Sequence, residues 1–426
     1  MLKVFHTADW HLGQSFCGFD RDFEHARFFE WLLASLESHR PDVMIVSGDI
    51  FDTINPSAVS QKRLYDFLSK VSLVLPEMQI VLTAGNHDAA ARLEAPAPLL
   101  CSMNIHVVGT VLWNDQNEIE YDKFLIPIRK EKAEVAAIVL AVPFLRPSDV
   151  PYVQDANIQV AIDPYLDGIV ELYRKVTEAA LKLASQHSPT PLLIAMGHCH
   201  VSGGDESRDS ERRIIIGGSE SIGVSTFSPD IAYVALGHLH KTQSFDHGRI
   251  RYSGSPIPLS FAESHYRHQV IKLTFSDSDL LLAEELLVPR AVQLLKVPEK
   301  SSAILSEVIE QLESLPVDKT LPPEQHPFLE VRVREEGPDP TRRRKIEQAL
   351  EGKPLRLASI KIDTPRSDAD TDLLDPNLDQ NALDWIQPEE VFLGAYEQKY
   401  QSAPDDKVLK AFHEVLQKVL HTEGNE

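Results

Sequence analysis

Three cysteines, Cys17, Cys101 and Cys199, are the only thiols in 426 residues, and they are odd in number and far apart. That scarcity argues against a disulfide framework and against a thiolate zinc site, since both need thiols in sets at close spacing. Long apolar runs are missing too, and no stretch approaches the roughly 20 residues that cross a bilayer. The opening Leu2-Lys3-Val4-Phe5-His6-Thr7 reads as a first β-strand rather than a signal peptide. These absences lead us to expect a cytoplasmic protein with no membrane partner. No glycine-rich loop has the spacing or lysine of a phosphate-binding loop, so Gly203-Gly204 and Gly217-Gly218 read as turns and the chain carries no nucleotide-hydrolysing motif of its own. Positive charge is also short: 42 Lys and Arg face 64 Asp and Glu, a net charge of −22. This does not exclude a nucleic-acid partner, because affinity for phosphates comes from local cations and from bound divalent ions.

What the chain does have is enough apolar material, 43% of residues, to bury a large core and divide into two or three units. Strand and helix patterns alternate through the first 275 residues. Gln79–Thr83 is a short apolar strand, and residues 23–36 carry an amphipathic helical pattern. The expected fold class is α/β, with the β-layers flanked by helices.

Five short motifs punctuate that region, each after a run that reads as a strand. They are Asp9-Trp10-His11, Gly48-Asp49, Gly85-Asn86-His87-Asp88, Gly197-His198 and Gly237-His238-Leu239-His240. Open α/β sheets place their ligands at the C-terminal ends of strands, so the five motifs are expected on one edge. A lone Asp after a strand is more often a turn residue, and a lone His more often a surface or core residue. Five in order, several with paired ligands, are a different matter. His238 and His240, one residue apart, would share a face if they lay in a strand, and Asp9 and His11 repeat the spacing. Asp49, after the apolar run Val43-Met44-Ile45-Val46, is placed to bridge two ions. Carboxylates and imidazoles suit two divalent ions about 3.5–4 Å apart, which supply a nucleophile at neutral pH and neutralise charge on phosphorus.

At these residues the chain resembles the calcineurin-like metallophosphoesterases and, more narrowly, the SbcD-type nucleases. The narrower likeness rests on His6-Thr7-Ala8-Asp9-Trp10-His11-Leu12-Gly13, Gly48-Asp49-Ile50-Phe51-Asp52, Ala235-Leu236-Gly237-His238-Leu239-His240 and Tyr252-Ser253-Gly254-Ser255-Pro256. The resemblance implies that Asp9, His11 and His240 hold one ion and Asn86, His198 and His238 the other. Asp49 would bridge them, with a water or hydroxide between as nucleophile and manganese as the metal. It implies that His87 binds no metal but contacts the scissile phosphate, stabilising charge or protonating the leaving oxygen. Asp88 either orients His87 or begins the next helix, with the helix cap the preferred reading. Cys199 and His200 are placed outside the ligand set.

Periodicity and composition divide the chain into an α/β domain at 1–275, a small α+β domain at 276–362, an acidic linker at 363–390 and a helical tail at 391–426, and the resemblance implies that the first is the metallophosphoesterase domain and the second a capping and DNA-contact domain. The capping region is read as a strand near residues 291–297, a helix carrying Ile304, Leu305, Val308, Ile309 and Leu312, a strand at 328–333, a helix at 342–350 and a strand at 355–362. The most basic stretch lies here, and Arg342, Arg343, Arg344 and Lys345 are its candidate DNA contacts, with a solvated helix face as the alternative. The linker has nine acidic side chains and one basic. Beyond it, Val408, Leu409, Phe412, Val415, Leu416, Val419 and Leu420 form a helical stripe, which the resemblance assigns to docking on a coiled-coil ATPase of the SbcC type. The implied activity is hydrolysis of DNA phosphodiesters, 3′→5′ on double strands and endonucleolytic on single strands and hairpins. A homodimer within a heterotetramer is implied as well, through helices at 56–72 and 88–100. Two alternatives remain: a phosphodiesterase or phosphatase acting on nucleotides or phosphoproteins, and a scaffold with a silent metal site. A protein phosphatase would carry an Arg shortly after the second motif, where this chain reads Asp49-Ile50-Phe51-Asp52-Thr53-Ile54.

Overall fold

The computed structural model describes residues 1–130, 134–151, 164–205, 221–276, 279–335, 337 and 339–363, and seven residues between 392 and 412. Residues Met1–Asp363 form one compact unit and Thr364–Glu426 a second. Among the described residues no helix is long and apolar enough to cross a membrane.

Two six-stranded sheets face each other. In the first, Leu2–Thr7, Val43–Ser47, Gln79–Thr83 and Ile105–Val108 run parallel in that order, and Gln269–Phe275 pairs antiparallel with Leu2–Thr7. Val43–Ser47 and Gln79–Thr83 are buried at all five positions, which explains their unbroken apolar runs: a strand covered on both faces has no reason to alternate. Leu280–Leu287 adds an antiparallel edge beyond Gln269–Phe275, so this sheet extends past residue 275, where the sequence pattern alone set the domain boundary. Its mixed, half-exposed side chains carry none of the buried-strand signal. In the second sheet Glu134–Ala141, Leu192–His198, Tyr233–Gly237 and Ile250–Tyr252 are parallel, with Leu125–Lys130 and Gln243–Phe245 antiparallel at the edges.

The inner faces of the sheets share one large apolar core. The outer face of the first is covered by the helices Asp22–His39 and Ala58–Val74, which bury Phe28, Phe29, Leu32 and Leu36 from the one and Leu64, Phe67, Leu68 and Val71 from the other. Ser57 caps the second of these, its hydroxyl accepting from Ser60 N at 3.1 Å. Trp10, inside the first ligand motif, has its ring edge-on to Phe28, Phe29 and Phe67 and donates its indole N–H to Thr7 at 3.0 Å. The first ligand loop is thereby anchored in the helical layer.

A third sheet of Leu294–Val297, Phe328–Arg334 and Arg356–Asp363 is wholly parallel, its strands alternating with the helices Leu305–Ser314 and Arg342–Ala349. The element order expected for residues 291–362 is present. Val297, Val308, Leu312, Leu329, Val331, Val333 and Ile346 make its core. It joins the sandwich through an aromatic and cationic stack: Phe328 lies against Phe16 with ring centroids 4.8 Å apart, Arg356 sits 3.7 Å over Phe328, and buried Arg21 sits 4.8 Å over Phe16. Phe328→Ala should therefore destabilise this unit by about 3–5 kcal/mol. The check is a lower urea midpoint at unchanged slope.

In the second unit Phe392, Leu393 and Tyr396 are helical, as are Val408, Leu409 and Phe412, and Phe392 stacks on Phe412 at 4.3 Å. The acidic linker and the positions Val415, Leu416, Val419 and Leu420 lie outside the described residues.

Candidate metal centre

The sandwich carries its polar side chains where the C-terminal strand ends of the two sheets meet. Asp9 and His11 follow Leu2–Thr7, Asp49 follows Val43–Ser47, and Asn86 and His87 follow Gln79–Thr83. From the other sheet, His198 ends Leu192–His198, and His238 and His240 follow Tyr233–Gly237. The sheets nearly touch here. A Cβ on Gly237 would lie 1.9 Å from Ser47 O, and one on Gly85 2.1 Å from Asp49 Oδ1, so only glycine permits the approach. The loops are also strained, since Asp9, His11, Asp49 and His238 all have positive φ, at 55°, 45°, 49° and 101°. Non-glycine residues held there cost about 1–3 kcal/mol each, and such strain clusters at functional sites. His238 and His240 lie beyond the end of their strand, so strand alternation does not place them as the sequence pattern suggested; the strained turn at His238 does.

All seven expected ligands converge, and six of them are nearly inaccessible, with Asn86 partly exposed. Asp49 is central, its Oδ2 3.5 Å from His11 Nε2 and 3.4 Å from His198 Nε2. Asp9, His11 and His240 present ligand atoms within 4.8 Å of one another, as do Asp9, Asp49 and His198. Asn86 Oδ1 is 2.9 Å from His198 Nε2, and the His198 and His238 rings lie 5.4 Å apart.

The hydrogen bonds reveal what this arrangement can hold. His198 Nδ1 is 2.9 Å from Ser47 O, so it must donate, and Nε2 is left facing Asp49 and Asn86 oxygens, which are acceptors as well. His11 Nδ1 is likewise spent on Asp52 Oδ1 at 3.1 Å, while its buried Nε2 and the buried Asp9 Oδ2 have no hydrogen-bond partner. Buried lone pairs pointing at one another need a proton or a metal ion between them, and His198 holds a proton in that place until an ion displaces it. The donor set thus fits two divalent ions, with Asp9, His11 and His240 toward one and Asn86, His198 and His238 toward the other, sharing Asp49.

The local electrostatics agree. Burial opposes ionisation of Asp49, but His198, His87 and His11 outweigh it and hold the carboxyl well below its usual range. Burial would depress His198, yet Asp49 and Asp9 raise it to about 9. Asp9 goes up to about 6, burial outweighing the imidazoles near it. Metal ligands must be deprotonated, so ion binding displaces a proton from His198 below pH 9 and a second from Asp9 below pH 6. The dissociation constant of the ion on the His198 side should therefore weaken by about tenfold per pH unit below 9, and that of the ion on the Asp9 side by about tenfold per unit below 6. Manganese titrations across that range would show both breaks.

His87 Nδ1 lies 2.8 Å from the carbonyl of Asp52, so it donates there and leaves Nε2 as its other polar atom; the ring is edge-on to His11 at 4.7 Å. His11, Asp52 and His87 are close enough to suggest a third ion position. Both of the Nδ1 atoms concerned are instead consumed in hydrogen bonds to Asp52. Asp88 is not the helix cap that its position suggested: the cap residue of Ala90–Glu94 is Ala89. The Asp88 carboxylate accepts from Ile50 N, Phe51 N and Gly85 N at 3.1, 2.9 and 2.9 Å, tying the second and third ligand loops together. Cys199 is outside the ligand set, and burial pushes its thiol up to about 12. Two carboxylates that sequence reasoning left without a role, Asp52 and Glu263, hold ligand imidazoles: Glu263 Oε1 accepts from His240 Nδ1 at 2.9 Å.

The basic stretch is less free than its sequence suggests. Arg342 pairs with Glu335 at 3.5 Å, Arg343 with Glu347 at 2.8 Å and Lys345 with Asp339 at 2.9 Å. Lys353 is spent capping carbonyls of Leu312, Glu313 and Leu315. Arg344 on the same helix is exposed.

Comparison with known proteins agrees with this picture. Residues 2–242 match the calcineurin-like phosphoesterase family, and residues 290–400 match a domain described as the type 5 capsule protein repressor C-terminal domain. The SbcD component of the SbcCD nuclease from Rhodobacter capsulatus is 38% identical over 368 residues, covering 86% of this chain and 88% of that protein. The SbcD proteins of Escherichia coli K12 and Bacillus subtilis are 34% and 31% identical, covering 68% and 73% of this chain and 68% and 75% of their own lengths.

Proposed function

The chain belongs to the calcineurin-like phosphoesterase family and, within it, to the metal-dependent nucleases of SbcD type; from that premise we propose which ion it uses, which DNA it cuts and what it assembles with. The proposed activity is manganese-dependent hydrolysis of DNA phosphodiesters, 3′→5′ on double strands and endonucleolytic on single strands and hairpins, serving repair, recombination and replication in the cytoplasm. The observation that supports it is the pair of acceptor clusters sharing Asp49, whose facing lone pairs and unpartnered His11 Nε2 and Asp9 Oδ2 suit a two-ion centre. Divalent ions there supply a neutral-pH nucleophile and charge neutralisation on phosphorus. The chain's own residues do the rest. Asp49 holds both halves of the site together. His87, fixed through Nδ1 beside the ligands, is the group proposed to meet the phosphate and hand a proton to the departing oxygen.

The partner proposed for the tail is a coiled-coil ATPase of the SbcC type, since the chain has no nucleotide-binding loop and Phe392, Leu393, Tyr396, Val408, Leu409 and Phe412 of the tail are helical and largely apolar. A homodimer is supported by large apolar side chains exposed in the two expected segments, Val59 at 62% in the one and Leu99 at 77% in the other. DNA contact is assigned to the third-sheet domain, with Arg344 as its least committed cation.

The test is cleavage of end-labelled double-stranded and hairpin DNA with manganese, by the protein alone and with the ATPase plus ATP. Cleavage that depends on metal and increases with the ATPase is the expected result. Hydrolysis of a small phosphodiester without any DNA cleavage would move the assignment to a nucleotide phosphodiesterase.

A further inference from the structure

The two ion positions are braced differently. On the Asp9, His11 and His240 side, both imidazoles give Nδ1–H to a carboxylate: His11 to Asp52 Oδ1 at 3.1 Å and His240 to Glu263 Oε1 at 2.9 Å. Such a partner fixes the tautomer, aims Nε2 at the ion and makes it a better donor. Glu263 is itself held, being fully buried, with Oε2 accepting from Leu259 N at 2.7 Å. Next along the chain, Pro258 O takes a bond from buried Arg21 at 2.6 Å. On the other side the matching atom, His198 Nδ1, donates to a neutral acceptor, the Ser47 carbonyl, and Asn86 offers an uncharged amide oxygen.

Charge follows the same division. Asp49 belongs to both positions. Asp9, Asp52 and Glu263 stand on the first side, and of these only Asp9 approaches a ligand of the second, 4.0 Å from His198. Outer carboxylates on ligand histidines are typically worth about 10–100-fold each in metal affinity.

Resting on the two-ion reading above, we infer that Asp52 and Glu263 are positioning residues that make the sites unequal. The Asp9–His11–His240 site fills first and keeps its ion, and the Asn86–His198–His238 site fills second and exchanges. The chain thus works as a one-ion protein at low metal and becomes complete only as the weaker site loads.

Calorimetric titration of the full-length protein with Mn2+ tests this, because it reads binding without activity. The wild type should bind two ions in two classes separated by about a hundredfold or more, and Asn86→Ala should delete the weaker class. Glu263→Gln keeps an acceptor for His240 and removes the charge; it should weaken the tight class by about tenfold or more and leave the weak one in place. Asp52→Asn should do the same at a side chain already 25% exposed, and it carries the test if Glu263→Gln fails to fold. Two equivalent sites in the wild type would overturn the inference while leaving the two-ion reading intact. So would equal weakening of both classes, or no weakening, in the folded variants. Absence of Mn2+ binding in the wild type would overturn both.

Discussion

Asp49→Ala should abolish metal-dependent cleavage, with a fall of at least about 10³-fold in kcat. Asp49 is the only described side chain with an oxygen within 3.5 Å of imidazoles on both sides of the centre, and its other oxygen accepts from His87 N at 2.9 Å. Removing it loosens both ions and the loop that carries His87. Charge stabilisation by a bound ion is worth several kcal/mol in the transition state, and each 1.36 kcal/mol is tenfold in rate, so about 4–6 kcal/mol gives a loss of about 10³–10⁴-fold. Asp49→Asn separates charge from shape. It preserves the volume, and it should lose nearly as much activity while unfolding at nearly the wild-type denaturant midpoint. If the asparagine variant kept full manganese-dependent activity, the bridging role would be wrong.

His87→Ala should lower kcat by about 10²–10⁴-fold while the protein still binds two ions. The two parts of that outcome distinguish a group acting on the substrate from a ligand. His87 has committed Nδ1 to the Asp52 carbonyl, and its ring stands beside His11 rather than among the acceptors around Asp49. Losing it removes a proton donor near the leaving oxygen but none of the seven ligands. Cleavage rate on end-labelled DNA, measured beside manganese stoichiometry, settles the matter: loss of one ion in His87→Ala would make His87 a ligand, and unchanged kcat would deprive it of a chemical role.

Much of the centre was legible in the sequence because its chemistry is local. Each ligand follows a strand closely, several sit next to the glycine that the close approach of the sheets requires, and the paired motifs repeat one spacing. The elements of the third-sheet domain were legible for a similar reason, since short helices with apolar stripes alternate there with short apolar strands. The α+β reading missed their direction: the alternation of strand and helix already points to parallel strands, and Leu294–Val297, Phe328–Arg334 and Arg356–Asp363 run parallel. The edge strand Leu280–Leu287 was lost because an edge with both faces half-exposed has no periodic burial to betray it. Glu263 was hidden differently. It is one acidic residue among 64, it lies 23 positions from the histidine it holds, and only the fold brings them within 2.9 Å. Asp88 was misjudged because an aspartate just before a helix usually caps it, whereas here three backbone N–H groups of two ligand loops claim its carboxylate. For the basic stretch the sequence leaves DNA contact and a solvated helix face as alternatives, and the fold adds its intrachain partners Glu335, Glu347 and Asp339.

Everything proposed for this chain turns on a two-ion centre bridged by Asp49, with His87 beside it and not in it. Anomalous diffraction at the manganese edge from crystals grown with Mn2+ tests that centre most directly. Two peaks should flank Asp49, one bounded by Asp9, His11 and His240 and the other by Asn86, His198 and His238. A single peak at saturating metal, or a peak coordinated by His11, Asp52 and His87, would contradict it.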